Sequence, residues 1–176
     1  MLFRSALNEF DAILSISPKH AHAWHMRGVA LRHLGRLDEA LQSLNRALAD
    51  SPDRGPCLFD RANLLCELSQ HCDALPDYER ARALQPDDIQ ILYHLGLALR
   101  HLNRIDDALE RFREALVMAR TDIPTLFQCA ICCRTLGFDQ DALEYLDKIL
   151  ELRPLHTDAL AQRAVALNSQ IGRAHV

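Results

Sequence analysis

Three groups of side chains have the types and spacing to do chemistry. Cys129, Cys132 and Cys133 form a C-x-x-C-C run, His20, His22 and His25 fall within HAHAWH, and Asp106-Asp107 is a paired acid. Thiols at such spacing serve zinc or disulfide exchange, and paired carboxylates serve general acid–base catalysis. Each group also has a structural explanation. Zinc and redox sites draw ligands from a turn or from two converging elements, whereas these cysteines share one helical stretch. Thirty-four residues upstream of Cys129 and Cys133 stand Leu95 and Leu99, and Cys132 is matched by Ala30, Leu64, Ala98 and Ala166, so small apolar packing residues are expected there. His22 and His25 lie one helical turn apart, but no carboxylate or Cys follows at a ligand spacing. They read as solvated histidines. Asp106 and Asp107 open a helix, where the positive end of its dipole favours them. The sequence has no nucleophile elbow, no phosphate-cradling glycine loop and no HExxH. Gly28, Gly35, Gly96 and Gly137 are accounted for by packing or turns. The expectation is a protein that is not an enzyme, with no catalytic residues, no cofactor and no metal.

The elements that position these groups follow from composition and period. At 176 residues, half apolar and a quarter charged, the chain has the balance of a globular protein with a sizeable core. A net charge of −4 gives no bulk basicity for nucleic acid or an anionic membrane, and no apolar run approaches a membrane span. Arg4, Glu9 and Asp11 interrupt the N-terminal apolar pattern, so export is not indicated. The six cysteines form no disulfide framework, and reduced thiols in a cytoplasmic protein are expected.

A step of 34 residues organises the whole chain. It carries Ala6 to Ala40, Ala74, Ala108 and Ala142, each followed by Leu, and four residues on come Phe10, Leu44, Tyr78, Phe112 and Leu146. Pro18, Pro52, Pro86, Arg120 and Pro154 share another column, as do Gly28, Ala62, Gly96, Ala130 and Ala164. Each unit reads as two helices. Trp24, Leu31 and Leu34 share the face of the first, and Gly35-Arg36 makes a turn. Asp38 and Glu39 open the second, whose stripe is Ala40, Leu41, Leu44, Ala47 and Leu48, and Pro52 closes it. The alanine column lets two helices approach closely, with Gly28 or Gly96 expected at the facing site.

This pattern resembles the tetratricopeptide repeat family. The family signature is met by Trp24, Gly28, Leu31, Ala40, Leu44 and Pro52, and again by Leu92, Leu95, Gly96, Leu99, Ala108 and Phe112. The resemblance runs from Phe3 to about Ser169. It implies an all-α fold: a right-handed α-solenoid of antiparallel helix pairs with a 34-residue period, whose first helices line a concave groove. The expected divisions are 1–20 (a second helix only), 21–54, 55–88, 89–122, 123–156, and 157–170 (a first helix from Asp158 to about Ser169). Residues 171–176 read as a non-native tail, Met1 need not be the natural start, and the whole reads as a fragment of a longer protein. Departures from the family pattern set further expectations. Arg27, Arg61 and Arg163 stand where Leu is usual and are expected half-exposed, their stems on apolar surface. Arg120 softens one boundary, while Pro56 and Pro124 suit first turns. Pro76 is harmless if its helix starts at Asp73 and kinks it if the start is earlier.

Mapped onto the family, the groove columns are His25, Phe59, Tyr93 and Phe127; Val29, Asn63, Leu97 and Ile131; and Arg32, Arg100 and Arg134. An aromatic and aliphatic floor with an arginine and histidine edge, His33 and His101 standing beside the arginines, suits a peptide or protein segment with apolar anchors and acidic groups. The competing explanation is that the arginines are solvated or paired with Glu67 and Asp60. The carboxylate clamp of chaperone-binding members is absent, since the matching places hold His25, Val29, Asp60, Gln90 and His94. So is the asparagine ladder of sugar-transferase members, whose column holds Met26, Asp60, His94, Gln128 and Gln162. The expected function is a non-catalytic interaction scaffold binding a peptide or protein in its groove, with no nucleic acid and no membrane as partner. The alternative is the recruiting arm of a larger enzyme such as a glycosyltransferase-like protein. Apolar end helices open a route to self-association.

Overall fold

The computed structural model describes the backbone of residues 2–174 and the side chains of residues 3–169. Met1, His175 and Val176 lie outside the described residues, so the expectations for the start and the last two tail positions are not addressed. The described residues form helices and no strand. The helices are α1 (Leu2–Ile16), α2 (Ala21–His33), α3 (Leu37–Asp50), α4 (Gly55–Glu67), α5 (His71–Leu84), α6 (Ile89–His101), α7 (Ile105–Met118), α8 (Ile123–Thr135), α9 (Asp139–Leu152) and α10 (Thr157–Ala174). From α2 onward each helix begins 34 residues before its counterpart in the next pair. The last helix extends beyond Ser169, through backbone that the sequence set aside as tail.

The chain divides into two compact units, residues 1–91 and 92–176. In the first, α1 packs on α2, α2 on α3, α3 on α4 and α4 on α5, and the first helices α2 and α4 also touch. In the second, α7 packs on α8, α8 on α9 and α9 on α10, and α8 touches α10. Apolar periodicity supplies both cores: Leu31, Leu44, Leu58 and Leu64 in the first unit, Leu126, Ala130, Leu146 and Ile149 in the second.

The turns inside the pairs share one device. Gly35, Ser69, Asn103 and Gly137 all have positive φ, between 58° and 83°. The next residue's N–H then reaches back to close the helix: Arg36 to Leu31, Gln70 to Leu65, Arg104 to Leu99 and Phe138 to Cys133, at 2.8–3.0 Å. This six-to-one bond satisfies a terminal carbonyl and reverses the chain in three residues.

Ala40, Ala74, Ala108 and Ala142 are fully buried, as the close approach requires. Gly28 does face the alanine column, since a Cβ there would lie 3.2 Å from the Ala40 carbonyl oxygen, but a larger neighbour lies closer still. A Cβ on Gly28 would lie 2.8 Å from Leu44 Cγ, and one on Gly96 would lie 2.6 Å from Phe112 Cε1. The glycine therefore chiefly admits the large side chain one turn beyond the alanine. Helix α5 begins at His71, ahead of Asp73, so Pro76 removes the ladder bond to the Cys72 carbonyl. Both residues are exposed, where water replaces the missing donor.

Candidate binding faces of the first helices

In the first unit the groove columns are occupied by contacts of the chain with itself. His25 is 5% exposed and its Nε2 lies 2.6 Å from Asp60 Oδ2. Arg54 donates through Nε to His25 Nδ1 (3.4 Å) and through Nη2 to His22 Nδ1 (2.7 Å). With Nδ1 accepting, Nε2 carries the proton and donates to Asp60. The His22 pKa is held below the ordinary imidazole value, first by loss of hydration and then by the Arg54 charge. His20 is also engaged: its Nδ1 caps α2 by accepting from the Ala23 N–H at 3.1 Å. Of the histidines read from sequence as solvated, His22 is exposed, whereas His25 is buried against Asp60 and Arg54.

Asn63, a groove residue by column, is 8% exposed and accepts from the Tyr78 hydroxyl at 2.7 Å. Arg32 donates through Nε to Glu67 Oε1 at 2.9 Å, and its Nη2 contacts the same oxygen. Val29 and Phe59 remain half-buried. Both charged contacts span 35 residues, from one first helix to the next.

The second unit carries the same columns with different consequences. Tyr93 and Leu97 on α6 and Phe127 and Ile131 on α8 are half-buried. Tyr93 rests 5.9 Å, centroid to centroid, from the buried Phe112 ring, and Phe127 lies 5.9 Å from His156. The 35-residue step leads from Arg100 to Thr135 and from Arg134 to Ser169, and neither is an acid. The Nε atoms of Arg100 and Arg134 are buried without a hydrogen-bond partner among the described residues. So are the side-chain oxygens of Gln128 and Gln162, in the column dismissed as a broken asparagine ladder. An unsatisfied buried polar group costs about 1–3 kcal/mol, and more when charged. The second face therefore holds unmet donors in one column and unmet acceptors in another.

Charge pairing between first and second helices was missed by sequence reasoning. Arg27 donates to Asp11 and Ser43, both at 2.7 Å. Arg61 forks onto Asp77 with two 2.6 Å bonds and reaches Asn45 at 2.8 Å. Arg163 donates to Asp147 at 2.6 Å. All are half-buried as expected, but each also bonds a residue 16 positions away, a step visible in the sequence once the helix pairs are placed.

Four of the cysteines are packing residues, while Cys66 is half-buried and Cys72 exposed. Cys57, Cys129, Cys132 and Cys133 are buried, and burial pushes the first two thiols up to about 12 and Cys132 up to about 11. The Arg100 charge pulls the other way on Cys132. Among the described residues no three His, Cys, Asp or Glu side chains gather as metal ligands, and no helix is long and apolar enough to cross a membrane.

The sequence profile of the tetratricopeptide repeat matches residues 2–54 and 59–123. No curated protein matches the chain in sequence. Solved structures do match it in fold. YrrB, described as a TPR protein with an unusual peptide-binding site, superposes with a TM-score of 0.84 at 23% identity, over 92% of this chain and 84% of that one. A crystal structure of MamA gives 0.81 at 19% identity, over 85% of this chain and 87% of that one. MamA from Desulfovibrio magneticus, residue 41 to its end, gives 0.82 at 21% identity and covers 88% of each chain.

Proposed function

The chain belongs to the tetratricopeptide repeat family of protein-interaction modules, and from that premise we propose that its second unit binds an acidic peptide segment across the first-helix face of α6, α8 and α10. The protein acts by binding, not by catalysis. Tyr93, Leu97, Phe127 and Ile131 take the apolar anchors of the segment, and Arg100 and Arg134 take its carboxylates. One observation carries this reading: two half-buried arginines, one repeat apart, whose Nε atoms find no acceptor among the described residues. A carboxylate supplies the acceptors in the geometry that guanidinium prefers. YrrB, whose fold this chain shares, is described as having a peptide-binding site, which is consistent with such use of the fold.

The test is fluorescence anisotropy of a labelled peptide bearing two apolar residues among Asp and Glu. Arg100→Ala with Arg134→Ala should weaken binding about tenfold or more while leaving the helical circular-dichroism signal unchanged, since a hydrogen bond to a charged group contributes about 1.5–3 kcal/mol. Unchanged affinity in the double variant at the same salt removes the arginines as readers.

A further inference from the structure

On the second-helix side of the second unit the repeat pattern fails at several columns that converge on one place. In the first unit, Arg61 fills the gap between flanking second helices, bonding Asn45 on α3 and Asp77 on α5. Nearby, Arg80 donates to the Pro52 carbonyl at 2.9 Å and to Asp53 at 2.8 Å. Each charged group there is consumed by a neighbour. Sixty-eight residues on, the same columns hold Cys129, Arg113, Tyr145, Lys148, Arg120 and Thr121. The short Cys129 cannot span from α7 to α9. Arg113 Nε instead meets the Tyr145 hydroxyl at 3.3 Å. Arg120 stands where proline closes the other repeats.

The result is an open recess of about 430 Å³. Its floor includes Leu116, the Tyr145 ring and Val117, which is 76% exposed. Its rim carries Arg113, Arg120 and Lys148, and no acid lines it. Asp141, at 3.6 Å from Arg113 Nη2, is the carboxylate within reach of that guanidinium, and both side chains are half exposed. Lys148 Nζ lies 5.6 Å from the Tyr145 ring centroid. Arg120 has neither an ion pair nor a hydrogen bond among the described residues.

We infer that this recess is a second docking site, distinct from the first-helix face, which takes an acidic segment of a partner protein with one large apolar side chain between its carboxylates. Charge complementarity selects the partner: three cations surround an apolar floor, in a molecule whose net charge is −4. Openness selects a segment over a free small molecule, because ligand pockets enclose most of their ligand's surface. The apolar side chain covers Val117 and the Tyr145 ring, and the carboxylates pair with Arg120 and Lys148 at the rim.

The experiment titrates the peptide acetyl-Glu-Asp-Phe-Asp-Glu-amide into the full chain and follows backbone amide resonances. The amides of Val117, Tyr145 and Lys148 should shift together. Arg120→Pro, which restores the residue of the other repeats, and Lys148→Gln should each weaken that response at least threefold, and together about tenfold. Lys148 is exposed, so its variant keeps the test open if Arg120→Pro disturbs the fold. Arg100→Ala with Arg134→Ala should leave the Val117 and Tyr145 response intact, which separates this site from the proposed groove. Absence of shifts at these three amides would overturn the assignment, as would shifts unaffected by either charge change. An equal response to an all-lysine analogue or to a short oligodeoxynucleotide also contradicts a site for acidic protein segments.

Discussion

The first-helix faces of the two units share their columns and differ in what answers each charge. In the first unit, Arg32 has Glu67, His25 has Asp60, and Asn63 has the Tyr78 hydroxyl. In the second, Arg100 and Arg134 look across the same 35-residue step to Thr135 and Ser169, and their Nε atoms go unanswered. A repeat protein can thus keep one backbone and one packing scheme while an acid gives way to a hydroxyl on one face, and on the proposed function that exchange is what opens the face to a ligand. Packing columns cannot vary so freely, because Ala40, Ala74, Ala108 and Ala142 are completely buried.

That contrast can be broken by substitution, and the largest effect is on stability. Asp77 is 3% exposed and takes both fork bonds of Arg61, so Arg61→Ala strands a buried carboxylate. We expect a loss of about 3–5 kcal/mol in urea unfolding. The equivalent site in the second unit, Cys129→Ala, should cost under about 1.5 kcal/mol, because no charge is stranded there. Similar losses at both sites would mean that the units are not held by different means. A smaller effect distinguishes the turns. Ser69 holds a φ of 61° without glycine's freedom, so Ser69→Gly should stabilise by about 1 kcal/mol in thermal melting. Asn103, at 58°, belongs to a residue type that tolerates this region, so Asn103→Gly should gain less. The smallest effect is electrostatic and confined to the first unit. His22 should titrate below its ordinary value by NMR, because burial and Arg54 disfavour its charged form. A folded pKa lowered in this way makes the stability contribution complete above the unfolded value near 6.5. That contribution is then lost as pH falls through the folded pKa. Arg54→Gln should move the His22 titration back upward.

Much of the fold was legible because close packing leaves a periodic trace. Alanines at every thirty-fourth position, a large apolar residue one turn on, and prolines between pairs give helix order and topology without coordinates. The sequence put Arg32, Arg100 and Arg134 in one column, but did not show which of them meets an acid of the next repeat. Pairing depends on a residue in another repeat, and a column read downward does not display its diagonal neighbours. The steps of 35 and 16 residues appear only after helices are placed side by side. The capping role of His20 was not legible for a related reason. Its column also holds Asp122, which caps α8 through the Thr125 N–H, so its place just before a helix was the available signal. The recess beside Tyr145 was least visible, since it arises from several separate departures that meet only in three dimensions.

The most direct measurement of the central claim is the reciprocal exchange of the diagonal partners. Thr135→Glu gives Arg100 the acid that Arg32 possesses, and Glu67→Thr removes it from Arg32. With the labelled acidic peptide, Thr135→Glu should weaken binding about tenfold, and Glu67→Thr should strengthen it or add a second binding phase. Affinities that match the unaltered protein in both variants would contradict the claim that an unanswered arginine makes a face receptive.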